Sequence, residues 1–209
     1  MGLLRKFFSN MGNPQGKMGK FVIAMMNRGH AGIAAWGFSH LDLQGDEHVL
    51  DCGCGGGANI AVFLRMVDEG YVTGLDYSTV SVEKAREVNH AAIEAGRCAI
   101  VQGNVLELPF ENERFDVVTA FETVYFWPEI ARCFTEIHRV LKVGGVFMIT
   151  NETSGKTGAH EKWQKLVDGL SVYTGEELET LLTGAGFARV EIDEDLKADR
   201  LNVRAYKAQ

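Results

Sequence analysis

The chain has 209 residues, and its 28 acidic residues against 21 Lys and Arg give a formal net charge of -7. This length suits one domain that buries its own core, and the acidic balance argues against nucleic acid as a partner. No apolar run approaches the roughly 20 residues of a membrane span, and the first eight residues do not resemble a secretion signal. The four cysteines lack a disulfide-rich spacing and the Cys52-x-Cys54 pair lacks companion ligands, so we expect a cytoplasmic protein without a metal site.

The first 40 residues differ in composition from the rest of the chain. A stretch rich in Gly, Asn and Lys precedes two short apolar segments, residues 21–26 and 31–36, which are typical of short helices. We therefore divide the chain into an N-terminal arm and helical lid, residues 1–40, and a main domain, residues 41–209.

From about residue 47 the pattern alternates between apolar strands and amphipathic helices, which predicts an α/β fold with a parallel sheet covered on both faces. The predicted strands are residues 49–52, 71–76, 98–102, 115–121 and 146–150, followed by 188–192 and 201–206. No crossover helix separates the last two, so they should pair antiparallel.

Several residues predict where helices begin and end. Ser78 is a predicted N-cap for one helix that includes Ala85, Val88 and Ala92. Residues 174–177 predict a capping box for a helix that ends at Gly184 and Gly186, and residues 143–145 predict a turn before the fifth strand.

A glycine-rich turn after the first strand, Asp51-Cys-Gly-Cys-Gly-Gly-Gly57, predicts a cofactor site. One glycine allows a sharp turn, one allows backbone to approach a ligand, and one allows a helix to pack closely on the sheet. The same glycines fit a dinucleotide, but the Asp51 carboxylate would repel a pyrophosphate and attract a sulfonium and an ammonium group. These charges favour S-adenosylmethionine (SAM), with Asp76 at the offset suited to ribose hydroxyls.

Five ordered motifs between residues 47 and 207 resemble the class I SAM-dependent methyltransferases, of the small bacterial type often called methyltransferase type 11. They are Val49-Leu-Asp51-x-Gly-x-Gly-x-Gly57, Gly74-Leu-Asp-Tyr-Ser78, Gly103-Asn-x-x-x-Leu-Pro-Phe110, Phe115-Asp-Val-Val118 and Leu141-Lys-x-Gly-Gly145. The resemblance implies a Rossmann-like, doubly wound, mostly parallel seven-stranded sheet whose last strand is antiparallel. It also implies these cofactor-binding residues: Asp51, Gly53, Cys54, Gly55, Gly57, Asn59, Asp76, Tyr77, Ser78, Gly103, Asn104, Val105, Phe121 and Glu122.

Two positions depart from the family pattern. Asn104 stands where an aspartate usually reads the adenine amine, and its side-chain carbonyl can still accept that hydrogen bond. Val143 replaces a proline that is common before the paired glycines.

Candidates for acceptor chemistry lie after the fourth strand and in the lid. We predict Glu122 or His30 as a catalytic base, with His40 as a further candidate in the lid. A cofactor-contacting or merely solvated carboxylate is the alternative for Glu122, and a capping or surface histidine is the alternative for His30 and His40. The predicted acceptor-binding residues are Tyr125, Phe126, Trp127, Met26 and His30, although ordinary packing would produce the same pattern.

The predicted function is therefore SAM-dependent methyl transfer to a small-molecule acceptor by a monomer or homodimer. A regulatory module that binds SAM or S-adenosylhomocysteine without catalysis is the alternative. A nicotinamide oxidoreductase fits less well, because of Asp51 and the terminal hairpin.

Overall fold

The computed structural model describes residues 31–158, 160, 161, 164, 167 and 169–208. Residues 21–26, Met26 and His30 therefore lie outside the described residues, and the predictions made for them stay predictions. In chain order the elements are α1 (Ala31–Phe38), β1 (His48–Cys52), α2 (Ala58–Met66), β2 (Tyr71–Asp76), α3 (Thr79–Val88), α4 (His90–Glu94), β3 (Cys98–Gln102), β4 (Phe115–Phe121), a 3-10 turn (Val124–Phe126), α5 (Ile130–Val140), β5 (Leu141–Asn151), α6 (Gly175–Gly184), β6 (Arg189–Asp195) and β7 (Arg200–Tyr206).

The seven strands form one sheet in the order β3-β2-β1-β4-β5-β7-β6. The β1, β2, β3, β4 and β5 pairs are parallel, whereas β7 pairs antiparallel with both β5 and β6. The α/β, mostly parallel, seven-stranded sheet with an antiparallel last strand is thus confirmed. The chain order reverses between β1 and β4, and in open α/β sheets a ligand crevice forms at such a point, outside the carboxyl ends of the strands.

Helices cover both faces of the sheet, and each face has its own apolar core. On one face Phe63 of α2 and Ala85 of α3 are fully buried with residues of β1 and β2. On the other, Phe134 of α5 and Leu178 of α6 pack on β4, β5 and β7. This two-sided packing explains why the central strands are almost continuously apolar.

Two predicted helix starts are confirmed by their hydrogen bonds. The Ser78 hydroxyl accepts from the backbone N–H of Ser81 at 3.3 Å. Thr174 accepts from the N–H of Glu177 at 3.3 Å, and the Glu177 carboxylate accepts from the N–H of Thr174 at 2.9 Å. Both bonds of the capping box are therefore present, as its sequence signature predicts.

The predicted turn at residues 143–145 is wrong, because these residues belong to β5, which begins at Leu141. A shift of register between the Phe115 and Val117 pairs of β4 accommodates the extra residues. Gly145 fits here because a Cβ would lie 2.8 Å from the carbonyl oxygen of Asp116.

The single helix predicted after Ser78 is instead two helices, α3 and α4, separated at Asn89. Asn89 is buried, and its side-chain amide donates to the carbonyl oxygens of Gly57 and Ala85, each at 3.0 Å. The break therefore coincides with a contact between α3 and the glycine-rich turn.

No helix within the described residues is long and apolar enough to cross a membrane. The four cysteines, all in the described part of the chain, are free and buried. The same part contains no group of three or more His, Cys, Asp or Glu side chains placed to hold a metal ion. The division at residue 40 and the cytoplasmic location stay predictions.

The capping box provides a test of local stability. Thr174→Ala removes the side chain that caps α6, so we expect a loss of about 1 kcal/mol in the free energy of unfolding. Thr180→Ala is the matched control, because the exposed Thr180 hydroxyl bonds only to the carbonyl of Glu176 within the helix. Urea unfolding should separate the two variants, and equal losses would contradict the structural role of the box.

Candidate functional site

A cavity of about 560 Å³ lies at the carboxyl ends of the strands, where the chain order reverses. Its floor comes from the glycine-rich turn and the end of β2, its sides from the loops after β3 and β4, and part of its wall from α1. A volume of this size is typical of sites for small organic ligands.

The glycine-rich turn is tied to the neighbouring strand. The backbone N–H groups of Gly53 and Cys54 both donate to the carbonyl oxygen of Leu75, at 2.7 and 3.0 Å. Gly53, Gly55 and Gly57 have φ angles of 79°, 52° and 78°, in the left-handed region that side chains rarely adopt. The sequence therefore needs glycine at each of these three positions.

Each glycine of the turn has a different neighbour. A Cβ on Gly53 would lie 2.5 Å from Thr123, and one on Gly57 would lie 2.9 Å from the Cα of Ala85 in α3. A Cβ on Gly55 would meet no atom of the described residues within 4 Å, and Gly55 lines the cavity. Gly55 is thus the position where backbone is open to a ligand, and Gly57 is the position of close helix packing.

Asp76, at the end of β2, stabilises the glycine-rich turn by a hydrogen bond. Its carboxylate accepts from the N–H of Gly55 at 2.9 Å and from the N–H of Ser78 at 2.8 Å, and it lines the cavity. Burial raises its pKa, although hydrogen bonds from the N–H groups of Ser78, Gly55 and Tyr77 and from the Ser81 side chain oppose the shift. The carboxylate is therefore fixed by bonds within the protein at a position that faces the cavity.

Asp51 does not line the cavity as its predicted role requires. Its side chain is only 1% exposed and accepts from the Thr119 hydroxyl at 2.9 Å. Burial, opposed by the Thr119 hydrogen bond and aided by the nearby Asp76 carboxylate, raises the pKa of Asp51 to about 7. Asp51 therefore lies behind the turn, where it would act on a ligand through its charge rather than by contact.

The loop after β3 contributes the predicted adenine-reading position. Asn104 lines the cavity, and its side-chain oxygen accepts from the N–H of Leu106 at 3.0 Å. The second lone pair of that oxygen stays open for a ligand amine. Gly103 and Val105 on either side line the cavity as well.

The residues after β4 separate into two groups. Phe126 and Trp127 line the cavity, with the Trp127 ring stacked on Phe147 at 6.2 Å between centroids. Tyr125 does not line the cavity, since its hydroxyl lies inside the protein, 3.4 Å from Glu122 Oε1. Glu122 lines the cavity although it is only 8% exposed.

The α1 helix closes one side of the cavity and is held at its C-terminal end. The Phe38 ring packs against Phe63 and Phe121, each at 5.0 Å between centroids. His40 lies outside the cavity lining, because its ring bonds to Asp193 at 2.9 Å and to the carbonyl of Trp36 at 2.8 Å. The prediction of His40 as a base therefore finds no support in its position.

Most of the predicted cofactor-binding residues line the cavity, but not all of them do. Three of them, Asp51, Gly57 and Ser78, have other contacts and do not line the cavity. Those that line it are Gly53, Cys54, Gly55, Asn59, Asp76, Tyr77, Gly103, Asn104, Val105, Phe121 and Glu122. Which of them hold a cofactor stays a prediction.

Several apolar residues of the lining were not predicted from the sequence. They are Ala31, Ile33, Ala34, Ala35 and Phe38 of α1, with Ala58 and Val62 of α2, Leu75 of β2 and Pro128 after β4. The apolar pattern of residues 31–36 could have indicated the first group, because a short apolar helix ahead of an α/β domain needs a surface to cover.

The main electrostatic feature of the site is a set of buried carboxyl groups that have no counter-ion among the described residues. Asp51, Asp76 and Glu122 are all buried, and burial is the first cause of the raised pKa of each. No Lys, Arg or His within the described ranges forms a salt bridge with these three carboxyl groups. A bound cation would therefore be stabilised here.

Residues 50–149 match the family model described as a methyltransferase domain. This stretch contains β1, the glycine-rich turn, Asp76, Asn104 and Glu122, and so the core of the site. Residues 50–149 therefore form a methyltransferase domain, which agrees with the predicted family. SAM is the methyl donor of the class I methyltransferases, and the predicted cofactor is confirmed at the level of this family.

Curated relatives include methyltransferases of different acceptors. The chain is 34% identical to cycloartenol-C-24-methyltransferase of Arabidopsis thaliana over 51% of its length and 32% of that protein. It is 31% identical to sterol 24-C-methyltransferase of Debaryomyces hansenii over 75% of its length and 43% of the relative. An O-methyltransferase of Pyrenophora dematioidea is 27% identical over 69% of this chain and 55% of its own. The chain thus spans about a third to just over half of these relatives.

Solved structures confirm the fold. A SAM-dependent methyltransferase from Aquifex aeolicus superposes with a TM-score of 0.74 at 20% identity, covering 90% of this chain and 97% of that one. The Haemonchus contortus phosphoethanolamine N-methyltransferase 2 in complex with SAM gives 0.79 at 16% identity, covering 100% of this chain and 61% of that one. At these identities the likeness shows the Rossmann-like architecture alone.

Substitutions of Gly55 and Gly57 should affect cofactor affinity and protein stability to different degrees. In Gly55→Ala the new methyl group enters the cavity, so we expect cofactor affinity to fall at least about tenfold, or about 1.4 kcal/mol. Its left-handed backbone should lower stability by roughly 1–2 kcal/mol. Gly57→Ala should lower stability more, because its Cβ meets α3. Calorimetric titration and thermal unfolding measure the two effects.

Gly96→Ala is the matched control for Gly55→Ala. Gly96 has a φ of 71° and equally open surroundings, but it lies in an exposed turn away from the cavity. It should lose similar stability and no cofactor affinity. Equal affinities for the Gly55 and Gly96 variants would show that Gly55 does not face the cofactor.

The raised pKa of Asp51 predicts how stability depends on pH. The folded state keeps the Asp51 proton up to about pH 7, whereas the unfolded chain releases it near 4. Stability should therefore fall between pH 4 and 7, by at most roughly 4 kcal/mol from this group. Asp51→Asn should remove that part of the fall, which denaturant unfolding across this range can measure without ligand. Parallel curves for the two proteins would contradict the assignment.

Proposed function

We propose that this protein binds SAM in the cavity and transfers its methyl group to a small apolar molecule. The observation that carries the proposal is that three buried carboxyl groups, those of Asp51, Asp76 and Glu122, lie in or behind the wall of the cavity that Gly55 lines and have no salt-bridge partner among the described residues. A ligand with sulfonium and ammonium charges supplies the missing positive charge, which a dinucleotide pyrophosphate does not.

The residues of the cavity fit such a cofactor. The open face of Gly55 and the first turn of α2, whose N-cap Gly57 forms no side-chain cap, would hold the methionine part. Asp76 would hold ribose hydroxyls, and Asn104 the adenine amine. The cofactor would supply an activated methyl group and retain the electron pair of the broken carbon–sulfur bond.

The remaining lining supports an apolar acceptor. Phe38 of α1, Val62, Phe126, Trp127 and Pro128 contribute apolar side chains to the same cavity. Sterol methyltransferases and an O-methyltransferase are among the relatives, which is consistent with an apolar body on the acceptor. The protein would position this acceptor and exclude water from the transfer.

The proposal is tested first by calorimetric titration with SAM, S-adenosylhomocysteine and NAD. We expect micromolar binding of the two sulfur compounds, about -8 kcal/mol, and none of NAD. Turnover is then measured as S-adenosylhomocysteine formed in the presence of a panel of aromatic and alicyclic alcohols, thiols and amines. Binding without turnover on any acceptor would favour a regulatory module instead, and absence of binding would reject the proposal.

A substitution at the end of β2 sharpens the test. Asp76→Asn places an amide where the carboxylate accepts two backbone N–H groups, so SAM affinity should fall at least about tenfold. Asp116→Asn is the control, since Asp116 is the second residue of β4, at the opposite end of the strand, and pairs with Lys142 at 2.8 Å. An unchanged dissociation constant in the Asp76 variant would remove Asp76 from the site.

A further inference from the structure

Glu122 is held in an unusual backbone conformation at the rim of the cavity. It follows β4 directly, and its φ of 59° lies in the left-handed region, which costs a side-chain-bearing residue roughly 1–2 kcal/mol. Its N–H donates to the carbonyl of Thr150 at 2.9 Å, which fixes the start of the loop. Strain of this kind often accompanies a functional side chain.

The two carboxyl oxygens of Glu122 have different surroundings. Oε1 accepts from the backbone N–H of Glu152 and from the Tyr125 hydroxyl. Oε2 forms no hydrogen bond with any residue that the structure describes, and it is not among the unpartnered atoms sealed off from solvent. Because Glu122 lines the cavity, Oε2 is the oxygen left for a ligand.

The groups around Glu122 make its carboxyl group a stronger base. Burial, and next the nearby Glu152 carboxylate, hold its pKa well above the usual range, although the Glu152 N–H and the Tyr125 hydroxyl oppose the shift. Phe126 and Trp127 beside it in the lining are aromatic. A cationic ligand in the same cavity would favour the ionised form that can take a proton.

We propose that Glu122 is the catalytic base of the methyl transfer and that the acceptor presents a hydroxyl group to Glu122 Oε2. This inference rests on the proposed function and specifies its acceptor atom. As the acceptor oxygen forms its bond to the methyl carbon, its proton moves to Oε2. The carboxylate becomes a neutral acid while the sulfonium charge disappears, so no net charge is created in the cavity.

A hydroxyl acceptor fits this arrangement better than the alternatives. A thiol ionises more readily and needs no base, so the buried carboxyl group would serve no purpose for it. An ammonium group would bring a second positive charge beside the sulfonium. The oriented Oε2 therefore selects a neutral hydroxyl on an apolar body.

The test uses Glu122→Gln, which keeps an oxygen for the Glu152 N–H and replaces Oε2 with an amide NH₂. The probes are naphthol, naphthalene and thionaphthol, three aromatic molecules that differ in one group. In the presence of S-adenosylhomocysteine at pH 8, the wild type should bind naphthol several-fold more tightly than naphthalene. The variant should lose this preference when S-adenosylhomocysteine is present at a saturating concentration for each protein.

Rates provide the second readout. With SAM, Glu122→Gln should lower kcat/KM for naphthol at least about 100-fold and leave the thionaphthol rate within a few-fold of the wild type. The wild-type rate on naphthol should rise with pH as Glu122 ionises. In Glu152→Gln, which removes the neighbouring negative charge, this rise should move to lower pH without loss of the maximal rate.

Several outcomes would overturn the proposal. They are a wild type that binds naphthol no better than naphthalene, a variant that keeps this preference, or a variant that methylates naphthol at the wild-type rate. Failure of the proposed function is distinguishable, because then the wild type would bind neither SAM nor S-adenosylhomocysteine.

Discussion

The carbonyl oxygen of Leu75 is the point on which the site depends, because it accepts the N–H groups of both Gly53 and Cys54. These two bonds fix the glycine-rich turn to the end of β2, and the next residue, Asp76, then receives the N–H of Gly55. The turn leads into α2 through Gly57, which offers no side chain to cap the helix. The first N–H groups of α2 therefore receive no side-chain cap from Gly57, and a ligand in the cavity could accept their hydrogen bonds.

The strands and helix starts could be predicted because their causes are local. Buried parallel strands need continuous apolar runs, and the bounds of β2, β3 and β4 agree with the predicted ranges. Capping depends on residues three positions apart, as for Ser78 and Ser81. The early start of β5 and the break at Asn89 could not be predicted, because they arise from a bulge against β4 and from bonds to Gly57, 32 residues away.

In the site, too, the residues that could be predicted have local causes, and the others depend on residues that are distant in sequence. Gly55 and Asp76 belong to short motifs whose physical demands can be read in sequence, and both line the cavity. The position of Asp51 behind the turn depends on Thr119, and the orientation of Glu122 depends on the Glu152 N–H, 30 residues further along. Such pairings follow from sheet register rather than from any local pattern. The division of the aromatic residues after β4, with Tyr125 inward and Phe126 toward the cavity, is set by the 3-10 turn at Val124–Phe126.

The attachment of α1 has a consequence for how molecules enter and leave. Phe38 and His40 anchor the helix at its C-terminal end, whereas its other contributions to the cavity include the small side chains of Ala31, Ala34 and Ala35. The helix is also held by Gly37, which packs against Phe121 and Thr150, and by Arg200, which lies over the Trp36 ring at 4.4 Å. A molecule that enters past α1 would have to displace these contacts, and none of them is a strand pairing, so substitutions at α1 can change access to the cavity without changing the sheet.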